Sequence, residues 1–454
     1  ILRCLVGSEM CIRDRDILIK IAQLFLCFTI LVGIHELGHF LMARAFKIRV
    51  EKFYIFFDPW FSLFKFKRGD TEYGLGWLPL GGYVKIAGMI DESMDKEQMK
   101  QPVKPDEFRA KPAWQRLLVM VAGVMMNVLL AIVIYCAVCY TWGDSYFSNQ
   151  DAKWGYNFNP TAHEMGFRDG DRFVSIDGEE IDNVMRVQND LLITDGGRRV
   201  IVERGGEPVT LDIPFESLLR MRQEKAYEDL FTLRLPFIVD SVSYTSAVEA
   251  GLESGDEVVA IDDLRDADYP RYRDYLQKHK NDKVLLTVRR DGALIDSLAL
   301  PVDAEGRIGV TVTNPYSLRT QYYTFWESIP AGIHKAGKTI SSYWDQLKLI
   351  VQPKTKMYEE LGGFVAIGSI FPSSWDWHDF WLKTAFLSII LAVMNLLPIP
   401  GLDGGHALFT LWEIITRRKP SEKFLEVAQY VGLMIILALL VYANGNDIYR
   451  FFIK

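Results

Sequence analysis

Four nearly charge-free apolar stretches constrain this chain more than anything else in it. A helix needs roughly 20 residues, and as few as about 17, to cross a hydrocarbon core. The runs from about Ile17 to Phe46, Leu117 to Trp142, Trp381 to Leu397 and Phe424 to Tyr442 all reach that length, and none contains a proline. Ala43-Arg44-Ala45 resembles the cut site of a secretion signal. A signal's apolar region is short, however, and this one would enclose His35, Glu36 and His39, so the first run reads as a span. Residues 1–15 do not blend into the helical pattern that follows and are expected to be an extension outside the fold.

Of the 454 residues 49% are hydrophobic, and 51 Lys and Arg stand against 58 Asp and Glu, a formal net charge of −7. An acidic chain lacks the basic stripe that neutralises a phosphate backbone, which excludes nucleic acid as a partner. Mean hydropathy is only +0.06 because the apolar runs alternate with ordinary polar stretches. The fold class expected is therefore a multi-domain α+β membrane protein, with four transmembrane helices and soluble β domains. Cys4, Cys11, Cys27, Cys136 and Cys139 are an odd count, three of them inside apolar runs, so neither a disulfide framework nor a cysteine zinc site is expected.

Lys and Arg in short loops mark the cytoplasmic side. Lys65, Lys67, Arg68, Lys85, Lys111 and Arg116 crowd the loop at 47–116, and Arg417, Arg418, Lys419 and Lys423 follow the third span. Both segments are thereby assigned to the inside. The long segment from Gly143 to Asp379 and both termini then fall outside, which in a bacterium is the periplasm.

That external segment contains one pattern twice, GFRDGDRFVSIDGEEI at Gly166–Ile181 and GLESGDEVVAIDDLRD at Gly251–Asp266. In each a Gly-Asp turn feeds an alternating strand, and a hairpin signal follows in VIVERGGEPVTL and VLLTVRRDGALI. The two copies, at about 150–215 and 230–315, resemble a tandem pair of PDZ domains. Such domains take an extended peptide on a sheet edge, so peptide ligands are possible partners here. Tyr322–Val351 then reads as an interfacial amphipathic helix with Phe325, Trp326, Ile329, Ile333, Ile340, Trp344 and Leu347 on one stripe; the interfacial region extends to Phe371.

The chemistry is carried by His35-Glu36-Leu37-Gly38-His39. On a helix, residues i and i+4 stand one above the other, so both imidazoles face one metal ion while Glu36 points toward its water. Three ionisable groups inside an apolar span are costly unless they act together. A third ligand is needed, and the position six residues after His39 is Ala45, so it comes from elsewhere. The third span ends in NLLPIPGLDGGH, Asn395–His406, where Asp403 and His406 compete for that role and an aspartate at a helix start also serves as a plain cap.

HExxH in the first span, a PDZ pair, and NxxPxPxxDGG in a late span together resemble the site-2 protease family of intramembrane zinc metalloproteases, over essentially everything from Asp16 onward. The resemblance implies one zinc ion per chain held by His35, His39 and Asp403, with Glu36 as the catalytic acid and base. It implies that Asn395, with Pro398 and Pro400 in its motif, meets the substrate. Tyr73–Met89, containing Gly81, Gly82 and Tyr83, resembles the family's membrane-reentrant β-hairpin, placed at about 70–90, whose edge pairs with substrate. The implied activity is regulated intramembrane proteolysis of pre-cleaved single-span membrane proteins, anti-sigma factors or remnant signal peptides, with the PDZ pair as a size filter. Two other classes compete: a membrane-anchored PDZ scaffold with a non-catalytic metal site, and a metal transporter. A dead site has no need to keep Glu36, which is not a ligand, and four spans without a second polar relay argue against transport.

Overall fold

The computed structural model describes residues 2–78, 81–89, 102–227 and 229–453, which form two compact units, 1–143 with 322–454, and 144–321.

The first unit begins with helix α1 (Leu2–Ala45), which runs on through the residues expected to lie outside the helical pattern. Four strands follow, β1 (Val50–Ile55), β2 (Phe57–Arg68), β3 (Thr71–Leu78) and β4 (Tyr83–Ile86), and then helix α2 (Ala113–Trp142). The sheet order is β2-β3-β1-β4, with β1 parallel to β3 and antiparallel to β4. This corrects the expected hairpin at 70–90: β3 and β4 do not pair, because β1 lies between them. The hairpin is instead β2–β3, turning at Gly69-Asp70 with Arg68 opposite Thr71. Pro79 and Leu80 lie outside the described residues. β2 exposes Trp60, Phe61, Leu63, Phe64 and Phe66, and Trp77 of β3 stacks on Trp60 and Phe61.

The second unit opens with β5 (Asp144–Tyr146), β6 (Tyr156–Phe158), α3 (Pro160–Glu164), β7 (Arg172–Ile176), β8 (Glu179–Glu180), α4 (Val187–Leu192), β9 (Arg198–Arg204), β10 (Glu207–Ile213), α5 (Phe215–Gln223) and β11 (Phe231–Leu233). It continues through β12 (Phe237–Val242), α6 (Thr245–Glu249), β13 (Glu257–Ile261), α7 (Tyr269–Lys278), β14 (Lys283–Arg290), β15 (Ala293–Pro301), β16 (Val310–Val312) and β17 (Arg319–Gln321). The repeat found in the sequence recurs in the sheets β10-β9-β7-β8 and β15-β14-β13-β12-β16. Both predicted hairpins form, with two-residue loops at Gly205-Gly206 and Asp291-Gly292 whose positive φ at both positions is what a type I′ turn requires. Each repeat is clasped alike: the buried carboxylates of Asp171 and Asp256 accept two hydrogen bonds apiece from Arg204 and Arg290, at 2.6–2.8 Å. The first repeat is longer than expected. The stretch after 215 is α5, whose Leu218 and Met221 belong to the first core, and β11 pairs with β6. β5 and β17, the strands by which the chain enters and leaves this unit, pair antiparallel, with Asp144 opposite Gln321.

Back in the first unit, α8 (Phe325–Val351) starts with a capping box between Thr324 and Glu327. Its buried face is made of Ser328, Gly332 and Ala336, while Phe325, Trp326, Ile333 and Trp344 of the expected apolar stripe are exposed. The small residues permit close packing, since a Cβ on Gly332 would lie 2.5 Å from Cys136 Sγ of α2. The outward stripe suits lipid, where apolar surface costs nothing. α9 (Phe364–Ser369), α10 (Trp377–Leu396), α11 (Asp403–Thr416) and α12 (Glu422–Ile448) complete the unit. Among the described residues, α1, α2, α10 and α12 contain stretches long and apolar enough to cross a membrane. The sheet, α1, α2 and α11 meet in one apolar cluster that includes Ala43, Ile48, Val50, Val84, Ile86, Val119, Met120 and Ala407. That cluster lies just past the C-terminal end of the His35–His39 segment.

Candidate metal centre

α1 sets His35 and His39 one turn apart, so both rings leave the helix on one face, and each is only 7% exposed. Asp403 reaches them from the other end of the sequence as the first residue of α11. It is not a cap: Leu402 holds the N-cap position, and no side-chain hydrogen bond closes that end of the helix. Its Oδ2 lies 3.1 Å from His35 Nε2 and 3.2 Å from His39 Nε2, and the two Nε2 atoms are 3.3 Å apart. Gly404 allows this tight entry, because a Cβ there would fall 2.3 Å from the Leu396 and Leu397 carbonyl oxygens. Among the described residues these three are the group whose candidate ligand atoms all lie within 4.8 Å of one another; His406 is not among them.

The donor set fits zinc. Tetrahedral ligands at about 2.0–2.1 Å from zinc stand about 3.3 Å from each other, which is the spacing observed. Asp403 Oδ2 is buried and faces the two Nε2 atoms, so three ligand-type atoms converge on one point, as they would around a shared cation. His39 Nδ1 lies 2.8 Å from the Val119 carbonyl, to which it donates, leaving Nε2 bare and directed at the cluster.

α2 supplies no ligand but forms the wall behind the rings. A Cβ at Gly123 would come 2.3 Å from His39 Nε2 and 2.7 Å from His35 Cε1. Asn127, fully buried, places its Nδ2 3.3 Å from His35 Nδ1. Arg116 ties α2 to α11 through a 2.6 Å ion pair with Glu413, both side chains largely buried. None of these three residues was singled out from the sequence as part of the site, although a lone amide in an apolar run is itself a signal.

The remaining expected residues divide. Asn395, near the end of α10, brings Nδ2 to 3.3 Å from His35 Nε2 and so joins the centre. Glu36 follows His35 on the same helix, and the start of β4 is pressed against it: a Cβ on Gly82 would lie 3.2 Å from Glu36 Cγ and 2.7 Å from the Tyr54 carbonyl oxygen. Gly81 packs on Phe57. Tyr83 is engaged within the sheet, stacked on Tyr54 and Phe57 with its hydroxyl donating to Asp58. Pro398 and Pro400 shape the turn before α11, and the Pro400 carbonyl packs against Gly432 of α12.

The profile of peptidase family M50 matches residues 23–439. The chain belongs to peptidase family M50. Relatives match most of its length: a provisionally named zinc metalloprotease of Clostridium perfringens is 30% identical over 426 residues, covering 93% of this chain and 96% of the relative. The regulator of sigma E protease of Haemophilus influenzae is 27% identical over 455 residues, covering 95% and 99%. As an M50 peptidase, the site-2 protease family that the motifs resemble, the chain is a zinc-dependent metalloendopeptidase, and its four apolar helices make it a membrane protein.

Proposed function

We propose that the chain cuts peptide bonds within the membrane-spanning segments of other proteins, with His35, His39 and Asp403 as zinc ligands and Glu36 as the catalytic acid and base. The observation that carries the reading is the position of the cluster: its two histidines and Glu36 lie inside the apolar run of α1, so a scissile bond has to enter that layer to meet them. Zinc held by His35, His39 and Asp403 would supply a Lewis acid for the scissile carbonyl and make the attacking water more acidic. The Glu36 carboxylate takes the proton of the attacking water and delivers it to the leaving amide nitrogen. A helical substrate hides its carbonyls in i→i−4 bonds and must unwind first. Among the described residues β4 is an edge strand of the sheet, and it offers backbone groups to the opened segment. Gly81 and Gly82 keep that edge close to Glu36, Tyr83 anchors it, and Asn395, backed by the Pro398–Pro400 turn, steadies the chain beside His35.

In this reading the unit 144–321 is a periplasmic PDZ pair that screens substrates by size, in an inner-membrane protein whose loops at 47–116 and 417–423 face the cytoplasm. The bias of Lys and Arg supports the orientation. A cavity of about 350 Å³ lined by Phe147, Val184, Met185, Leu230, Phe231 and Leu233 in the first repeat supports binding of an extended peptide there. The substrates proposed are single-span proteins already trimmed outside the membrane, anti-sigma factors or remnant signal peptides; the name of the Haemophilus influenzae relative supports the former.

The test is cleavage of a trimmed single-span substrate by wild type and Glu36→Gln in vesicles, with zinc quantified in both. Cutting by wild type alone, with equal zinc, is the expected result. A Glu36→Gln protein that cuts at the wild-type rate overturns the assignment. Deleting 150–315 is expected to let untrimmed substrates be cut; unchanged selectivity would refute the filter.

A further inference from the structure

Asn127 sits in the middle of α2 with no exposure. Its Nδ2 lies 3.3 Å from His35 Nδ1, while its Oδ1 is buried without a partner among the described residues. The two ends of a carboxamide are nearly equal in size, so a half-turn brings Oδ1 to the position 3.3 Å from His35 Nδ1, where it accepts the Nδ1–H of that ring. Such a proton position leaves the Nε2 lone pair free, and Nε2 is the atom 3.1 Å from Asp403 Oδ2.

The same arrangement already exists for the other ring, where the Val119 carbonyl takes the Nδ1–H of His39 at 2.8 Å. Val119, Gly123 and Asn127 are spaced by four on α2 and form one stripe along its face. The first accepts from His39, the second leaves room for both rings, and the third meets His35. α10 fastens the end of this stripe, since Ser388 Oγ donates to the Asn127 backbone carbonyl at 2.8 Å.

We propose that Asn127 is a positioning residue whose side-chain oxygen accepts the Nδ1–H of His35 and so holds Nε2 of that ring on the metal. The bland alternative is a packing amide that merely bridges two helices. The inference rests on the reading of His35 and His39 as ligands, so zinc bound by wild type but not by His39→Ala is established first in the same preparation.

The experiment is zinc affinity of the full-length protein by chelator competition, with the visible spectrum of the cobalt-substituted form, for wild type, Asn127→Asp and Asn127→Leu. Loss of such an outer acceptor lowers zinc affinity about 10–100-fold. Asn127→Leu is expected to show that loss and an altered cobalt spectrum, with the metal-free protein melting as wild type does. Asn127→Asp, which keeps an acceptor, is expected to stay within a few-fold of wild type. Wild-type affinity in Asn127→Leu overturns the proposal, as does equal loss in both variants. Should Asn127→Leu fail to fold, nitrogen NMR of histidine-labelled, metal-free wild type decides: His35 protonated at Nδ1 supports the proposal and His35 protonated at Nε2 refutes it.

Discussion

Gly123→Ala is the sharpest perturbation the centre offers, because metal binding should suffer far more than folding. The added methyl would stand 2.3 Å from His39 Nε2 and 2.7 Å from His35 Cε1, where ordinary contact begins at 3.4 Å. Both rings therefore have to retreat, His39 by about 1 Å, against a tolerance of about 0.2 Å in a metal–ligand distance. In the absence of metal, alanine in a helix interior is favoured over glycine by about 0.8–1 kcal/mol, which offsets part of the crowding. Zinc affinity is expected to fall at least about 100-fold, the upper end of what loss of an outer hydrogen-bond partner costs and a floor when two ligands move. The metal-free protein should melt within a few degrees of wild type. Chelator competition and thermal scans with and without zinc measure both quantities. Gly337→Ala in α8, where a Cβ meets nothing within 4 Å, gives the same propensity change without the crowding and should bind zinc normally. Wild-type zinc affinity in Gly123→Ala would refute the view of α2 as the wall of the site.

Arg116→Met strands the Glu413 carboxylate at a largely buried position and is expected to cost about 3 kcal/mol. Because α11 carries Asp403, it should also weaken zinc binding, and Arg116→Met with Glu413→Met should recover most of both losses in thermal scans and zinc titration. Asp256→Ala breaks the clasp of the second repeat and is expected to cost about 3 kcal/mol there, read as faster hydrogen exchange in β13 and β14. Burial alone would raise the Asp256 carboxyl, but Arg290 and the Glu253 N–H hold it below the usual carboxylate range. Its stabilising contribution is therefore complete above the unfolded value of about 3.9 and is lost as pH falls through the lower folded value. Protection of β13 and β14 should weaken below about pH 4 in wild type and less so in Asp256→Ala; equal acid sensitivity in the two would refute this account.

Features carried by local pattern were legible in the sequence. Hydropathy located four long apolar helices, helical spacing paired His35 with His39, and Gly-Gly and Asp-Gly marked the two hairpins, all of which depend on residues within a few positions of each other. Asp403 could be narrowed only to a choice with His406, because which side chain meets the histidines depends on how the Leu397–Leu402 turn aims α11. Sheet order was not legible: placing β1 between β3 and β4 is a long-range pairing, and the alternation of Tyr73–Met89 is equally compatible with a simple hairpin. α5 was missed as part of the first repeat because 215–223 is polar on average, with Leu218 and Met221 the side chains that enter the core. Gly123 and Asn127 do their work across a helix interface, which a one-dimensional pattern does not contain.

The pairing of β5 with β17 makes the 144–321 unit a cassette. Its two ends are antiparallel neighbours, with Asp144 opposite Gln321 and Ser145 opposite Thr320, so they lie about 5 Å apart. Arg319 locks the junction through a two-point ion pair with Asp151. Everything between the paired strands can be exchanged for a short turn without re-threading the rest of the chain. A lineage could thus lengthen, replace or discard this module while the helices that carry His35, His39 and Asp403 stay untouched.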